Sequence, residues 1–285
     1  MPHDEHVPDT LLRTDGVADI ESLGFRTDLA VGLAEGAVLD RRDGYRVIRT
    51  PANPTFYWGN FLLLDAPPVA GTVDGWISAF NSEFPGASHV AIGVDGTDGA
   101  AGDPAELEAA GITVDRSRVL TARKLAAPRH PNEDAELRML DVDSDDDWTA
   151  ALELKIDNEE KQNDDFEPYA RRFLESKRGQ QAAGNGAWFG AFLDGRMVSG
   201  LGIFAFGRAD DPGGRVARYQ TVDTHPEYRK RGLAGSLVHL AGRYAFERLG
   251  AHTLVIVADP DYHAIGLYRS LGFAESESQV QLARY

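Results

Sequence analysis

A chain of 285 residues is longer than one compact domain usually needs and suits two of about 100–150 residues each. It contains no cysteine, which excludes disulfides, thiolate metal sites and a cysteine nucleophile. A formal net charge of −16 argues against nucleic acid or an anionic membrane as partner and favours a cationic or amine ligand, although such an acid excess also serves solubility alone.

In chain order, residues 1 to about 20 are polar and acidic without clear periodicity, and MPHDEHVPDT has neither the basic start nor the apolar core of an export signal. No apolar run approaches the ~20 residues of a membrane span, so the expected location is cytoplasmic, with no membrane partner. Leu23–Glu35 reads as a short apolar element, Tyr45–Arg49 as an alternating strand, Thr50–Thr55 as a turn and Phe56–Leu64 as a buried strand. A helix is expected over Gly75–Phe84, a buried strand over His89–Val94, a short helix over Pro104–Ala110 and a strand around Ile112–Ala122. The stretch 126–135, AAPRHPNEDA, is polar with two prolines and reads as a linker between domains at 1–125 and 136–285.

Glu136–Leu140 then opens the second domain as a strand. Ser144 is placed to cap a helix whose first turn holds Asp145–Asp147, which accounts for that acidic run without a catalytic role. Trp148–Ile156 and Phe166–Ser176 read as helices around an acidic loop, Asp157–Asp165. Ala187–Leu193 and Arg196–Phe206 are strands joined by the hairpin signal Asp194-Gly195. Val216–Val222 is a strand. After it, Leu233, Leu237, Leu240, Ala241, Tyr244, Ala245 and Leu249 recur at helical spacing. A further strand, Thr253–Ala258, a helical segment, Asp261–Phe273, and a closing strand, Ser278–Arg284, end the chain.

Between the strand and the long helix lies Pro226–Gly235, PEYRKRGLAG. Small residues there leave backbone N–H groups uncovered at the positive end of the helix dipole, and Arg229, Lys230 and Arg231 add positive charge. That combination suits a phosphate or pyrophosphate. Arg229-x-x-Gly232-x-Ala234 resembles the loop by which the GNAT superfamily of N-acetyltransferases holds the pyrophosphate of acetyl-CoA. Asp261–Phe273 resembles the superfamily's following helix, with Ala264, Leu267, Tyr268, Gly272 and Phe273 in place and Asp261 where Asn is usual.

The resemblance implies an α/β (α+β) fold with a mixed, mostly antiparallel central sheet flanked by helices. The N-terminal region repeats the order of strands and helices and reads as a degenerate second copy, with Pro67 and Pro68 where the loop should be and therefore no CoA of its own. The implied function is an acyltransferase that moves acetyl from acetyl-CoA directly to an amine of a small molecule or peptide, without a metal. A non-catalytic CoA-binding sensor or scaffold, or an acyltransferase of mycothiol-synthase type, are the alternatives. The oligomeric state is expected to be monomer or homodimer.

By the same resemblance, cofactor contacts fall to Val222, Thr224, Arg229, Lys230, Arg231, Gly232, Leu233, Ala234, Gly235, Ser236 and Asp261. A backbone N–H among Val222, Asp223 and Thr224 would point at the thioester carbonyl. Tyr268 would protonate the departing thiolate, or else pack beside the sulfur. The family's usual strand glutamate is missing, which leaves Gln220 and Asp223 on that strand, His225 and His263, which more often cap or face solvent, or a water chain ending on Asp223 or a C-terminal carboxylate. Asp157, Glu159, Glu160, Asp164 and Asp165 are candidates to meet a cationic acceptor, or simply a solvated acidic loop.

Overall fold

The computed structural model describes residues 16–159, 166–208, 211, 214–261 and 264–285. The chain forms two compact units that are not collinear with the sequence. One comprises 16–121, Ile256–Gly266 and Ala274–Tyr285, and the other contains Ala122–Val255 and Leu267–Phe273.

The N-terminal unit begins with α1, Leu23–Ala34, whose N-cap Ser22 accepts the Phe25 N–H. Strands β1 (Val38–Arg42) and β2 (Tyr45–Arg49) form a hairpin closed by Asp43-Gly44, with Arg42 opposite Tyr45. β1 was not expected, although Asp-Gly at a two-residue turn is a strong hairpin signal. The expected strand Phe56–Leu64 is shorter: Tyr57–Gly59 is a 3₁₀ turn, and only β3, Phe61–Leu64, is extended. The reason is Asn60, whose amide accepts from the Thr50 N–H and donates to the Asn53 and Phe56 carbonyls, curling the chain before the strand.

The unit continues with α2 (Val73–Glu83), β4 (Val90–Val94), α3 (Pro104–Ala109) and β5 (Thr113–Ala122). β3 and β4 pair in parallel across Leu62–Leu64 and Ile92–Val94, and the Asp95 N–H continues the ladder to the Leu64 carbonyl. The last strand of the chain, β11 (Ala274–Arg284), lies between β4 and β5 and is antiparallel to both. Ser278–Arg284 was expected to close the second domain; it completes the first instead. Val280 and Leu282 alternate into the N-terminal core as their spacing requires, but alternation names a buried face and not a partner.

The second unit has β6 (Glu136–Met139), α4 (Asp145–Asp157), α5 (Phe166–Ala182), β7 (Gly186–Leu193), β8 (Arg196–Phe206), β9 (Val216–Thr224) and α6 (Leu233–Glu247), with the first half of β10 (Thr253–Ala258) and the end of α7 (Ala264–Ser270). β6 to β9 form an antiparallel meander, and α6 carries the chain from β9 to the parallel β10. Every residue from Met197 to Phe206 is buried, as a central strand covered on both faces must be, and α4 and α6 both pack against β8. Ser144 accepts the Asp147 N–H as the cap expected of it. Asp147 does more: it takes two hydrogen bonds from Arg138, at 2.6 and 2.7 Å, and one from the Asp141 N–H at 2.8 Å. Among the described residues no helix is long and apolar enough to cross a membrane.

Candidate active site

The site is built where β9 runs into α6. β9 is antiparallel to β8 along its length, but its parallel pairing with β10 covers only Val216–Arg218 opposite Thr253–Val255. A bulge interrupts the β8 ladder where Leu201 faces Val222 and Gly202 faces Gln220, leaving Thr221 unpaired with φ of 32°. Such a bulge bends a strand and re-aims the backbone groups that follow it, here Val222, Asp223 and Thr224. Ser199, wholly buried on β8, fixes that end: its hydroxyl donates to the Asp223 carbonyl at 2.7 Å and lies 2.8 Å from Thr224 Oγ1. Neither the bulge nor Ser199 shows in the local pattern, because both depend on how two strands separated in sequence meet.

Past β9, Arg229 donates its Nε to the Thr224 carbonyl at 3.2 Å. Lys230 and Gly232 both take left-handed backbone conformations, with φ of 62° and 78°. For Lys230 this is uncommon and costs about 1–3 kcal/mol, a strain of the kind found in ligand-binding loops. Gly232 is the N-cap of α6 and supplies no side-chain cap. The first intrahelical bond runs from the Ser236 N–H to the Gly232 carbonyl. The N–H groups of Gly232, Leu233, Ala234 and Gly235 therefore meet no acceptor among the described residues. Free donors at a positive helix end, flanked by Arg229, Lys230 and Arg231, fit a pyrophosphate. Beside the loop a cavity of about 820 Å³ is lined by Asn132, Tyr228 and Arg231 among others, with Glu133, Asp134 and Glu227 giving it an acidic rim.

Ser236 is 6% exposed, and its Oγ accepts the Asn132 N–H at 2.9 Å. Leu267 of α7 packs on the first turn of α6, so that a Cβ added to Gly235 would lie 3.0 Å from its Cδ1. The neighbouring Tyr268 is 5% exposed and meets Phe273 edge-on, and Phe273 meets Tyr219 of β9 in the same way. The Tyr219 hydroxyl donates to the Val238 carbonyl of α6 at 2.7 Å. α7, β9 and α6 are thus joined around the half of β9 that β10 does not pair. Asp261 is exposed in the turn before α7, where its N–H bonds Asp259, and it belongs to the other unit.

Asp223 has a side chain 28% exposed, with Lys155 Nζ of α4 at 4.0 Å. Burial pushes its carboxyl above the usual range, while Lys155 and Arg229 pull the other way. The Lys155 side chain is 10% exposed and its ammonium lies 4.9 Å from the Phe173 ring centre. His225 is a capping residue: its Nδ1 accepts the Glu227 N–H. Asp157 is paired with Arg196 at 2.8 Å and lies 3.9 Å from His225 Nε2. Glu160, Asp164, Asp165 and His263 lie outside the described residues.

Residues 148–273 match the family model described as the acetyltransferase (GNAT) family. No curated protein matches the chain in sequence. Among solved structures, a conserved protein of unknown function from Staphylococcus epidermidis superposes with a TM-score of 0.64 at 13% identity, covering 87% of this chain and 94% of that one. A GCN5-related N-acetyltransferase from Kribbella flavida gives 0.61 at 18% identity over 90% and 92% of the two chains. A tandem GNAT protein from the clavulanic acid biosynthesis pathway gives 0.53 at 15% identity over 91% and 87%. At these identities the superpositions establish a shared fold that reaches across both units. The segment matched by the GNAT acetyltransferase family model, 148–273, thus holds both the bulged strand and the open helix end that follows it.

Proposed function

We propose that this protein is an acetyl-CoA-dependent N-acetyltransferase that transfers acetyl directly to an amine of a small molecule or peptide, with the N-terminal unit a degenerate second copy of the fold. The observation that carries the reading is the open N-terminus of α6, with its free donors from Gly232 to Gly235. Acetyl-CoA would supply an activated acyl group on a thiol that leaves readily.

The chain's own residues divide the remaining tasks. Gly232, Leu233, Ala234 and Gly235 bind phosphate oxygens through their N–H groups, and Arg229, Lys230 and Arg231 neutralise charge. The bulged end of β9 at Val222–Thr224 presents backbone to the pantetheine arm and a donor to the thioester oxygen, where negative charge grows during transfer. Asp223 takes the amine proton, helped by burial that raises its basicity. Tyr268 returns a proton to the thiolate. A phenol near pKa 10 facing a thiol near 8.5 is mismatched by about 1.5 units, or roughly 2 kcal/mol, which a positioned donor overcomes.

The N-terminal unit differs where it matters. β3 and β4 stay paired up to the loop, with the Asp95 N–H on the Leu64 carbonyl, so no free strand edge corresponds to Tyr219–Thr224. Pro67 and Pro68 also remove donors. One CoA per chain is therefore expected.

A thiol-release assay with acetyl-CoA across polyamines, amino sugars, amino acids and short peptides tests the activity, and calorimetry with CoA tests the site. Gly232→Val forces a β-branched residue to φ of 78° and drives its Cβ to 2.2 Å from the His130 carbonyl oxygen, so CoA binding should be lost. Tight CoA binding without acetyl transfer to any amine would favour the sensor reading. Unchanged CoA affinity in the valine variant would remove the loop from the site.

A further inference from the structure

A loop that places two left-handed residues, Lys230 and Gly232, ahead of an uncapped helix end is costly to keep ordered. Its ligand binds more tightly if the loop is held in shape beforehand. Bonds within the segment are few: Arg231 reaches back to the Glu227 carbonyl at 3.1 Å, and Arg229 to that of Thr224.

The remaining support comes from the polar stretch that the sequence presents as a linker. Asn132 donates its Nδ2 to the Arg231 carbonyl at 2.8 Å and its backbone N–H to Ser236 Oγ at 2.9 Å, thereby gripping the chain on both sides of Gly232. Its Oδ1 accepts the N–H groups of Asp134 and Ala135, at 3.1 and 2.8 Å, which fixes the side chain from behind. The adjacent His130 carbonyl lies against Gly232 so closely that no Cβ fits there. On the loop, these bonds use one carbonyl and one hydroxyl and leave the N–H groups of Gly232–Gly235 uncommitted.

We propose that Asn132 is a positioning residue that clamps the anion-binding loop through Arg231 and Ser236, so that the segment joining the two halves of the chain sets the affinity for CoA. This rests on the assignment of α6 as the CoA site.

The clamp and the turn separate in two variants. Asn132→Ser keeps an oxygen that can bond the Asp134 and Ala135 N–H groups but cannot reach Arg231, whereas Asn132→Ala loses both contacts. CoA dissociation constants are measured by calorimetry for wild type and both variants, with kcat and the KM for acetyl-CoA and for an accepted amine. Both variants are expected to bind CoA about three- to tenfold more weakly, the effect of one lost hydrogen bond. The KM for acetyl-CoA should rise in step, with kcat and the amine KM within twofold of wild type. Weakening in the alanine variant alone would assign Asn132 to the turn and overturn the clamp, as would unchanged affinity in both. Absence of CoA binding by the wild type would overturn the site assignment itself.

Discussion

Tyr268 separates an enzyme from a binding module. It is buried with its ring edge-on to Phe273, which in turn meets Tyr219, surroundings that suit packing beside a sulfur as well as proton donation. The magnitudes differ enough to decide. General acid help is worth about 10²–10⁴-fold, or roughly 3–5 kcal/mol of barrier, against about 0.5–1.5 kcal/mol for a ground-state hydrogen bond. Tyr268→Phe should therefore lower kcat at least 100-fold with CoA affinity nearly unchanged, and a fall below tenfold under chemistry-limited conditions would leave it only packing. Asp223 carries a pH signature. Its carboxyl must be ionised to accept a proton, and burial holds it above the ordinary range, so kcat/KM should fall with acidification through a pH above about 4. Lys155 favours the ionised form; Lys155→Met should move that acid limb to higher pH, and an unmoved limb would take Asp223 out of the base role. As candidates, Tyr268 could be named from its place in the helical motif and Asp223 only as the carboxylate left on a strand without the family's usual glutamate. Lys155 was not legible in the chain, since only the packing of α4 on β9 brings it to Asp223, 68 residues away in sequence.

Among the elements, helices and central strands follow the periodicity closely, while connections depend on single polar side chains reaching across the chain. Asn60 shortens a strand and Asn132 ties the stretch before β6 to the loop ahead of α6, and neither leaves a mark in hydrophobic pattern. The acidic start of α4 shows both sides of this. Capping by Ser144 was readable from Ser followed by three aspartates, but the specific work of Asp147 was not, because its partner Arg138 lies on β6. The hydrogen bonds from Arg138 hold the Asp147 carboxyl below its usual range. A lowered carboxylate contributes stability that is present above its unfolded value of about 3.9 and lost as pH falls through the folded value. Asp147→Ala removes the bidentate partner of Arg138, which keeps Glu136 and the Phe192 ring, and leaves the Asp141 N–H without its acceptor; it should cost about 1–3 kcal/mol near neutral pH by denaturant unfolding. The gap between the two proteins should narrow as pH falls below the unfolded value of about 3.9, and a gap that acid leaves unchanged would mean that packing rather than charge carries the effect.

At the scale of the whole chain, β11 decides how the halves depend on each other. It places Val280, Leu282 and Ala283 in the N-terminal core and pairs with β4 on one side and β5 on the other. Burying a Val and a Leu alone contributes about 3–6 kcal/mol, comparable with the entire 5–15 kcal/mol stability of a typical domain. Deleting Ala274–Tyr285 should therefore unfold or aggregate the N-terminal unit, read by size-exclusion chromatography and circular dichroism. A synthetic peptide of residues 274–285 should restore it in trans, and a truncated chain that stays monodisperse and folded would refute this dependence. The order of synthesis gives the arrangement a further consequence. At about 5–20 residues per second, the ribosome needs on the order of ten to thirty seconds to travel from Ala122 to Arg284. Throughout that interval the half translated first waits with β4 and β5 open along the edges that β11 will fill, a template for wrong pairing with other nascent chains. The part of the protein made first is thus the part finished last, and its yield in a cell should depend on what shields those edges until the final strand arrives.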